Sequence, residues 1–150
     1  MAGTFTNLHY HLVFSTKDRL PLINADFQSR LYEYIGGILR SEKSILLAAG
    51  GMPDHVHLLA RCHQGISISD YLRIIKSKST LWINDTIHPA ARFAWQEGYG
   101  AFTVSKSDLP RVTQYIQGQE EHHRTQTFQD EFLRFLELHE IEYDERFIWK

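Results

Sequence analysis

Hydrophobic and polar positions alternate from Thr6 to Ser15, with Leu8, Tyr10, Leu12 and Phe14 on one face and Asn7, His9, His11 and Val13 on the other. That period of two predicts a half-buried strand. Lys17-Asp18-Arg19 and Pro21 close it with a turn. Phe27, Leu31, Tyr34, Ile35 and Ile38 then recur at helical spacing, with Asn24 as the expected N-cap. Gly36 and Gly37 sit inside this helix at about 1 kcal/mol each relative to alanine, and close packing on a sheet would account for them. Ile45 to Ala49 predicts a second strand, Gly50 to Asp54 a turn, and Asp54 to Cys62 a third strand, the two strands forming a hairpin. Ser67-Ile68-Ser69-Asp70 has the form of a helix cap, followed by Ile68, Tyr71, Leu72, Ile75 and Trp82 on an apolar face. Arg73, Lys76, Ser77 and Thr80 line the opposite side, which suits a solvated face or a nucleic-acid contact.

After an irregular stretch from Thr86 to Gln96 and a turn at Gly98-Tyr99-Gly100, Ala101 to Ser105 predicts a fourth strand. Ser107 or Asp108 caps a helix with Pro110 in its first turn. Val112, Tyr115, Ile116 and Gln119 share one face of it. Thr127 to Asp130 caps a last helix, packed through Phe128, Phe132, Phe135 and Leu136, and the remainder carries Tyr143, Phe147 and Trp149 to dock it. The order strand, helix, strand, strand, helix, strand is the split βαβ of a ferredoxin-like (RRM-like) fold. The expected class is α+β: a four-stranded antiparallel sheet with two crossover helices, plus a tyrosine-bearing helix and a C-terminal helix. In that topology the first and third strands are neighbours. Leu8, Tyr10, Leu12, Val56 and Leu58 are expected to face the crossover helices, and His9, His11, His55 and His57 to meet on the other face.

Composition narrows the class. A chain of 150 residues with 43% hydrophobic content is long enough for one domain with a full core, here residues 1–150. One cysteine, Cys62, and the lack of a long apolar run or leader suit a cytoplasmic protein with no membrane partner. Residues 1–119 carry 12 Lys and Arg against 9 Asp and Glu, a net of +3, and residues 120–150 carry 4 against 9, a net of −5. An acidic C-terminal helical extension, 120–150, therefore masks a mildly basic body.

The candidate chemistry lies in two blocks. In Asp54-His55-Val56-His57-Leu58-Leu59 the histidines share one face of a strand and are spaced by about 6.6 Å, so both imidazoles can reach one ion at about 2.1 Å. Tyr115 and Gln119 lie four apart, one turn above each other on a helix. Two histidines, a third ligand and a tyrosine hydroxyl are the parts of a nucleophilic phosphoryl-transfer site.

Gly51-Met52-Pro53-Asp54-His55-Val56-His57-Leu58-Leu59 and Val112-Thr113-Gln114-Tyr115-Ile116-Gln117-Gly118-Gln119 resemble the two signature blocks of the single-tyrosine transposases of the HUH nuclease superfamily. Tyr10 to Phe14 and Trp95 to Ser105 match the family's style, and the C-terminal stretch is similar to the REP-associated tyrosine transposase branch. The resemblance implies that His55, His57 and Gln119 hold a divalent metal, Mg²⁺ or Mn²⁺. It implies that Tyr115 attacks a phosphate of single-stranded DNA selected through a hairpin, giving a 5′-phosphotyrosine link. His11, Lys17, Arg19, Arg73, Lys76 and His122 are candidate DNA-contacting or supporting residues. His122, seven after Tyr115, is a candidate for assisting its ionisation. At pH 7 a tyrosine with a pKa near 10 is short of its ionised form by about 4 kcal/mol. The family includes intertwined homodimers and monomers, and the C-terminal extension leans towards the monomer. The rival readings are a domesticated or non-cutting hairpin-binding protein, and a zinc hydrolase built on His9, His11, His55 and His57. Phe93, Trp95 and Tyr99 suit core packing or base stacking, His122-His123 suits a helix end, and Cys62 suits a small buried residue.

Overall fold

The structure, a computed structural model, describes residues 3–149. Strand β1 is His9–Ser15, and helix α1 is Gln28–Ser41. Strands β2 and β3 are Ile45–Met52 and His55–Arg61. Helix α2 is Ile68–Trp82, and β4 is Gly100–Thr103. Helices α3, α4 and α5 are Leu109–Gln117, Gln119–His122 and Phe128–Leu138. The sheet order is β2-β3-β1-β4, antiparallel throughout, as the split βαβ pattern requires.

Strand alternation divides the side chains as expected. Leu12, Phe14, Val56 and Leu58 point to one face and pack with Leu31 and Ile35 of α1 and Leu72 and Ile75 of α2. Phe93 and Trp95 join this core, and the Trp95 indole donates to Ser79 Oγ at 2.9 Å, while Tyr99 stays exposed. Cys62 is buried in the same core, and burial pushes its thiol up to about 11. The second face is not open. Ile116 of α3 packs on Ala48 and Leu59, and Phe128 and Leu136 of α5 pack on Val13 and Phe102. Both faces of the sheet are thus covered, the second by helices that follow the split βαβ unit.

Several local expectations are corrected. Asn24 does not cap α1; its side chain accepts from the Asp26 N–H at 3.3 Å, a turn early, and the helix begins at Gln28. Gly50 to Met52 are not turn residues but the end of β2, paired with His57 to His55, leaving a tight connection at Pro53-Asp54. A bulge between Leu46 and Ala48 shifts the alternation of β2, so that Leu46 joins the first core and Ala48 the second. Gly36 is in ordinary contact range of Leu46 and Gly37 faces only Arg40, so close packing does not demand either glycine. The caps at Ser67 and Thr127 form as expected, accepting from Asp70 and Asp130 at 3.1 and 3.2 Å. Of the tail aromatics, Trp149 docks on Phe128 and Phe132, while Tyr143 and Phe147 are exposed.

Gly50 is the position where close approach is strict, because a Cβ there would lie 2.0 Å from the Ile116 carbonyl oxygen. Gly50→Ala is expected to cost about 1–3 kcal/mol through overpacking of α3 on β2. Gly37→Ala is expected to stabilise α1 by about 0.5–1 kcal/mol. Urea-denaturation midpoints of the two variants should move in opposite directions, and a neutral Gly50→Ala would contradict this seating of α3.

Candidate active site

Period two on β3 turns His55 and His57 away from the main core, where both are fully buried beneath α3, α4 and α5. Each imidazole has one nitrogen engaged behind it. His55 Nδ1–H donates to Asp54 Oδ1 at 2.7 Å, and His57 Nδ1 lies 2.7 Å from His11 Nε2. Both Nε2 atoms are thereby aimed at the same spot. There His57 Nε2 meets Glu131 Oε1 at 2.8 Å, and His55 Nε2 lies 3.5 Å from the same oxygen and 3.2 Å from Gln119 Oε1. A partner that fixes one ring nitrogen and frees the other is how ligating histidines are oriented.

Tyr115 reaches the cluster from α3. Its hydroxyl donates to Glu131 Oε2 and lies 3.2 Å from His122 Nε2. Gly118 interrupts the expected continuous helix, yet Gln119 still stands one turn on, with its amide N–H donating to the Tyr115 carbonyl at 3.3 Å. Gln119 Oε1 also sits 3.0 Å from His123 Nε2. Tyr115, the histidine pair and Gln119 therefore converge within one chain.

Glu131 and His123 are members of the cluster that sequence reasoning missed. One ligand atom from each of His55, His57, His123 and Glu131 lies within 4.8 Å of the others. The donor set of imidazole nitrogens and carboxylate oxygen, with Gln119 Oε1 beside it, suits a divalent transition ion and, through the oxygens, Mg²⁺ or Mn²⁺. The signal for Glu131 lay in its helix: positions 128, 131, 132 and 135 share one face, and Glu131 is the charged residue on that apolar stripe. His123 follows Gln119 at i+4, the same turn spacing that links Tyr115 to Gln119.

Electrostatics follow from burial. Burial raises the Tyr115 phenol above its ordinary value, and the Glu131 carboxylate raises it further. Burial alone would raise Glu131, but its hydrogen bond and charge interaction with His57, and its bond from Tyr115, outweigh this and hold it at about 2. Burial, with His57 alongside, holds His11 down at about 3, and burial lowers His57 too. The resting site therefore contains an ionised carboxylate and a protonated tyrosine, with His11 neutral beside them.

The other sequence candidates are scattered. His11 supports His57 directly. His9 meets Arg61 Nε at 3.3 Å and stands apart, so the structure does not assemble a site from His9, His11, His55 and His57. Lys17 lies in the turn after β1, and Arg19 lies over the Trp149 ring at 5.2 Å. Arg73 and Lys76 lie on α2, across the sheet. Arg73 pairs with Asp70 at 3.5 Å, and the Lys76 ammonium donates to the Gln96 carbonyl at 2.8 Å. A cavity of about 290 Å³ opens beside Tyr115, lined by His11, Phe102, Arg111, Glu131, Arg134 and Phe135 among others. Among the described residues no helix is long and apolar enough to cross a membrane.

The unfolded chain protonates His11 near 6.5, whereas the folded chain does so only at about 3. Between these values the unfolded state holds more protons, so stability is full above pH 6.5 and falls as pH falls. Glu131 acts in the same direction, its contribution present above pH 4.5 and lost as pH falls towards about 2. Urea-denaturation midpoints are expected to drop from pH 6.5 to 3, and His11→Phe should flatten that drop. The same variant strands His57 Nδ1 and should cost about 1–3 kcal/mol at pH 7. A midpoint constant from pH 6.5 to 3 in the unsubstituted protein would contradict a buried neutral His11.

Known proteins resemble the chain in sequence and in fold. A family model described as "Transposase IS200 like" matches residues 4–119, so His123 and Glu131 lie beyond the matched segment. The transposase for insertion sequence element IS200 of Salmonella typhimurium is 28% identical over 128 residues, covering 79% of this chain and 81% of the relative. The ISDra2 transposase TnpA of Deinococcus radiodurans is 24% identical over 130 residues, covering 78% and 87%. A crystal structure from Deinococcus radiodurans R1, described as a transposase, superposes with a TM-score of 0.62 at 26% identity, covering 79% of this chain and 95% of that one. A REP-associated tyrosine transposase bound to a REP hairpin shares the fold, with a TM-score of 0.55 at 16% identity over 77% of this chain and 70% of that one. The chain belongs to the IS200-like transposase family.

Proposed function

We propose that this transposase cleaves and rejoins single-stranded DNA through Tyr115, with His55, His57 and Gln119 holding a divalent ion. The observation that carries this reading is the position of Tyr115: its hydroxyl and His57 Nε2 contact the two oxygens of one carboxylate, Glu131. Nucleophile and candidate ligands are thus one carboxyl group apart in the same chain. That favours an active site completed in cis over one shared between subunits.

In the proposed reaction the Tyr115 oxygen forms a bond to phosphorus and the bond to the 3′ oxygen breaks. The products are a 5′-phosphotyrosine and a free 3′-OH. Attack by another 3′-OH reverses the exchange, so the energy of the phosphodiester is retained and no nucleotide cofactor is needed. The ion, Mg²⁺ or Mn²⁺, supplies charge stabilisation at a phosphate oxygen when bound. His122 and Glu131 both contact the Tyr115 hydroxyl and are placed to take its proton. Burial and the carboxylate keep the phenol protonated at rest, which guards the nucleophile until a phosphate displaces those contacts.

Arg111 and Arg134 edge the cavity beside Tyr115, where cations meet a phosphate. The REP-associated relative of the same fold is described with a REP hairpin bound. We extend a hairpin DNA partner to this chain on that basis.

A denaturing gel tests the proposal. Labelled single-stranded DNA carrying an imperfect hairpin from the gene's own flanks is incubated with protein and Mn²⁺, with and without EDTA. The expected result is a metal-dependent covalent protein–DNA band that Tyr115→Phe abolishes while DNA binding persists. A band surviving in Tyr115→Phe would remove Tyr115 as the nucleophile. Binding with no covalent band on any flanking substrate would favour the non-cutting hairpin binder.

A further inference from the structure

We infer that Glu131, from the helix beyond the family-matched segment, is itself a ligand of the divalent ion, alongside His55 and His57. This rests on the metal site proposed above and extends it with a carboxylate from α5.

Glu131 is 2% exposed, yet its charge is not matched by a fixed cation. Among the described residues no Lys or Arg nitrogen lies within 4.0 Å of its carboxylate. Its partners are His55, His57, His122 and His123, at 3.5, 2.8, 3.2 and 3.4 Å, and the Tyr115 hydroxyl. A carboxylate this deeply buried with no lysine or arginine beside it is costly unless a cation joins it. A divalent ion is that cation, since imidazole and carboxylate are both its ligands.

The carboxylate is also held in place. The Thr127 cap starts α5, Phe128 stacks on the His55 ring at 4.3 Å, and Leu136 anchors the next turns in the sheet-side core. Behind the two imidazoles, Asp54 and His11 occupy the Nδ1 positions and leave both Nε2 atoms facing Oε1. Oε1 therefore lies on the ion side and Oε2 on the tyrosine side of one carboxylate. The assignment supplies the anionic oxygen that a site of two imidazoles and an amide otherwise lacks for Mg²⁺ or Mn²⁺. It also makes the acidic extension part of the catalytic unit.

Crystals of the unsubstituted, DNA-free protein soaked in Mn²⁺ test this directly by anomalous scattering. The expected peak lies within about 2.3 Å of a Glu131 oxygen and of both His55 and His57 Nε2. A peak on the two histidines with Glu131 more than about 3 Å away overturns the assignment and leaves the proposed site standing. A protein with no peak at the histidines overturns both. In solution, Mn²⁺ titration followed by electron paramagnetic resonance should show affinity weakened about 100-fold in Glu131→Gln, at or beyond the cost of losing an outer-shell partner. His57→Ala serves as the positive control. Unchanged affinity in Glu131→Gln, with loss in His57→Ala, would also overturn the assignment.

Discussion

Strand β3 imposes the constraint on which the rest of the molecule depends. It is hydrogen-bonded on both edges, to β2 and to β1, and six of its seven residues are buried. A period of two then sorts its side chains without exception: Val56, Leu58 and Ala60 complete the core against α1 and α2, and His55, His57 and Leu59 enter the opposite layer. A slip of one residue would bury imidazoles in an aliphatic core and present valine and leucine to the polar cluster. Fold stability and site assembly are set by the same register.

That register makes the second layer necessary. Two imidazoles with no solvent access need partners for all four ring nitrogens, because an unpaired buried polar group costs about 1–3 kcal/mol. Asp54 and His11 serve the Nδ1 atoms from the hairpin turn and the neighbouring strand. Gln119 and Glu131 serve the Nε2 atoms from α4 and α5. The helices after the split βαβ unit thus do two things at once. They bury Ile116, Phe128 and Leu136 on the sheet, and they carry the polar groups that the imidazoles require. The tail charge, read as a shield over a basic body, is in one case turned inward: Glu131 belongs to the interior.

Much of this was legible in the chain. Alternation in β1 and β3, helical spacing in α1 and α2, and the caps at Ser67 and Thr127 are local properties, and they appear where the pattern placed them. The shared face of His9, His11, His55 and His57 followed from parity plus one topological rule. The Tyr115 to Gln119 spacing survived even though Gly118 breaks the helix, because one turn of backbone carries both residues. What local pattern mistook were the ends of elements. Gly50 to Met52 look like a turn by composition, but the ladder to His55–His57 and the carbonyl of Ile116 above Gly50 hold them in the strand.

The sequence by itself determined which residues of β1 and β3 face which side of the sheet, because the strand period is a covalent consequence of backbone geometry. It also carried the pair of blocks that name the family. Only the tertiary structure decided which polar groups meet. Glu131 is 74 residues from His57 along the chain, and His11 is 46 residues from it, yet each is in hydrogen-bond contact with it. The His11 contact follows from the β1–β3 ladder, but the Glu131 contact depends on how α5 settles across the sheet, through the packing of Phe128 and Leu136 on Val13 and Phe102. Packing of that kind sums many weak contacts between distant segments, and no local period encodes it.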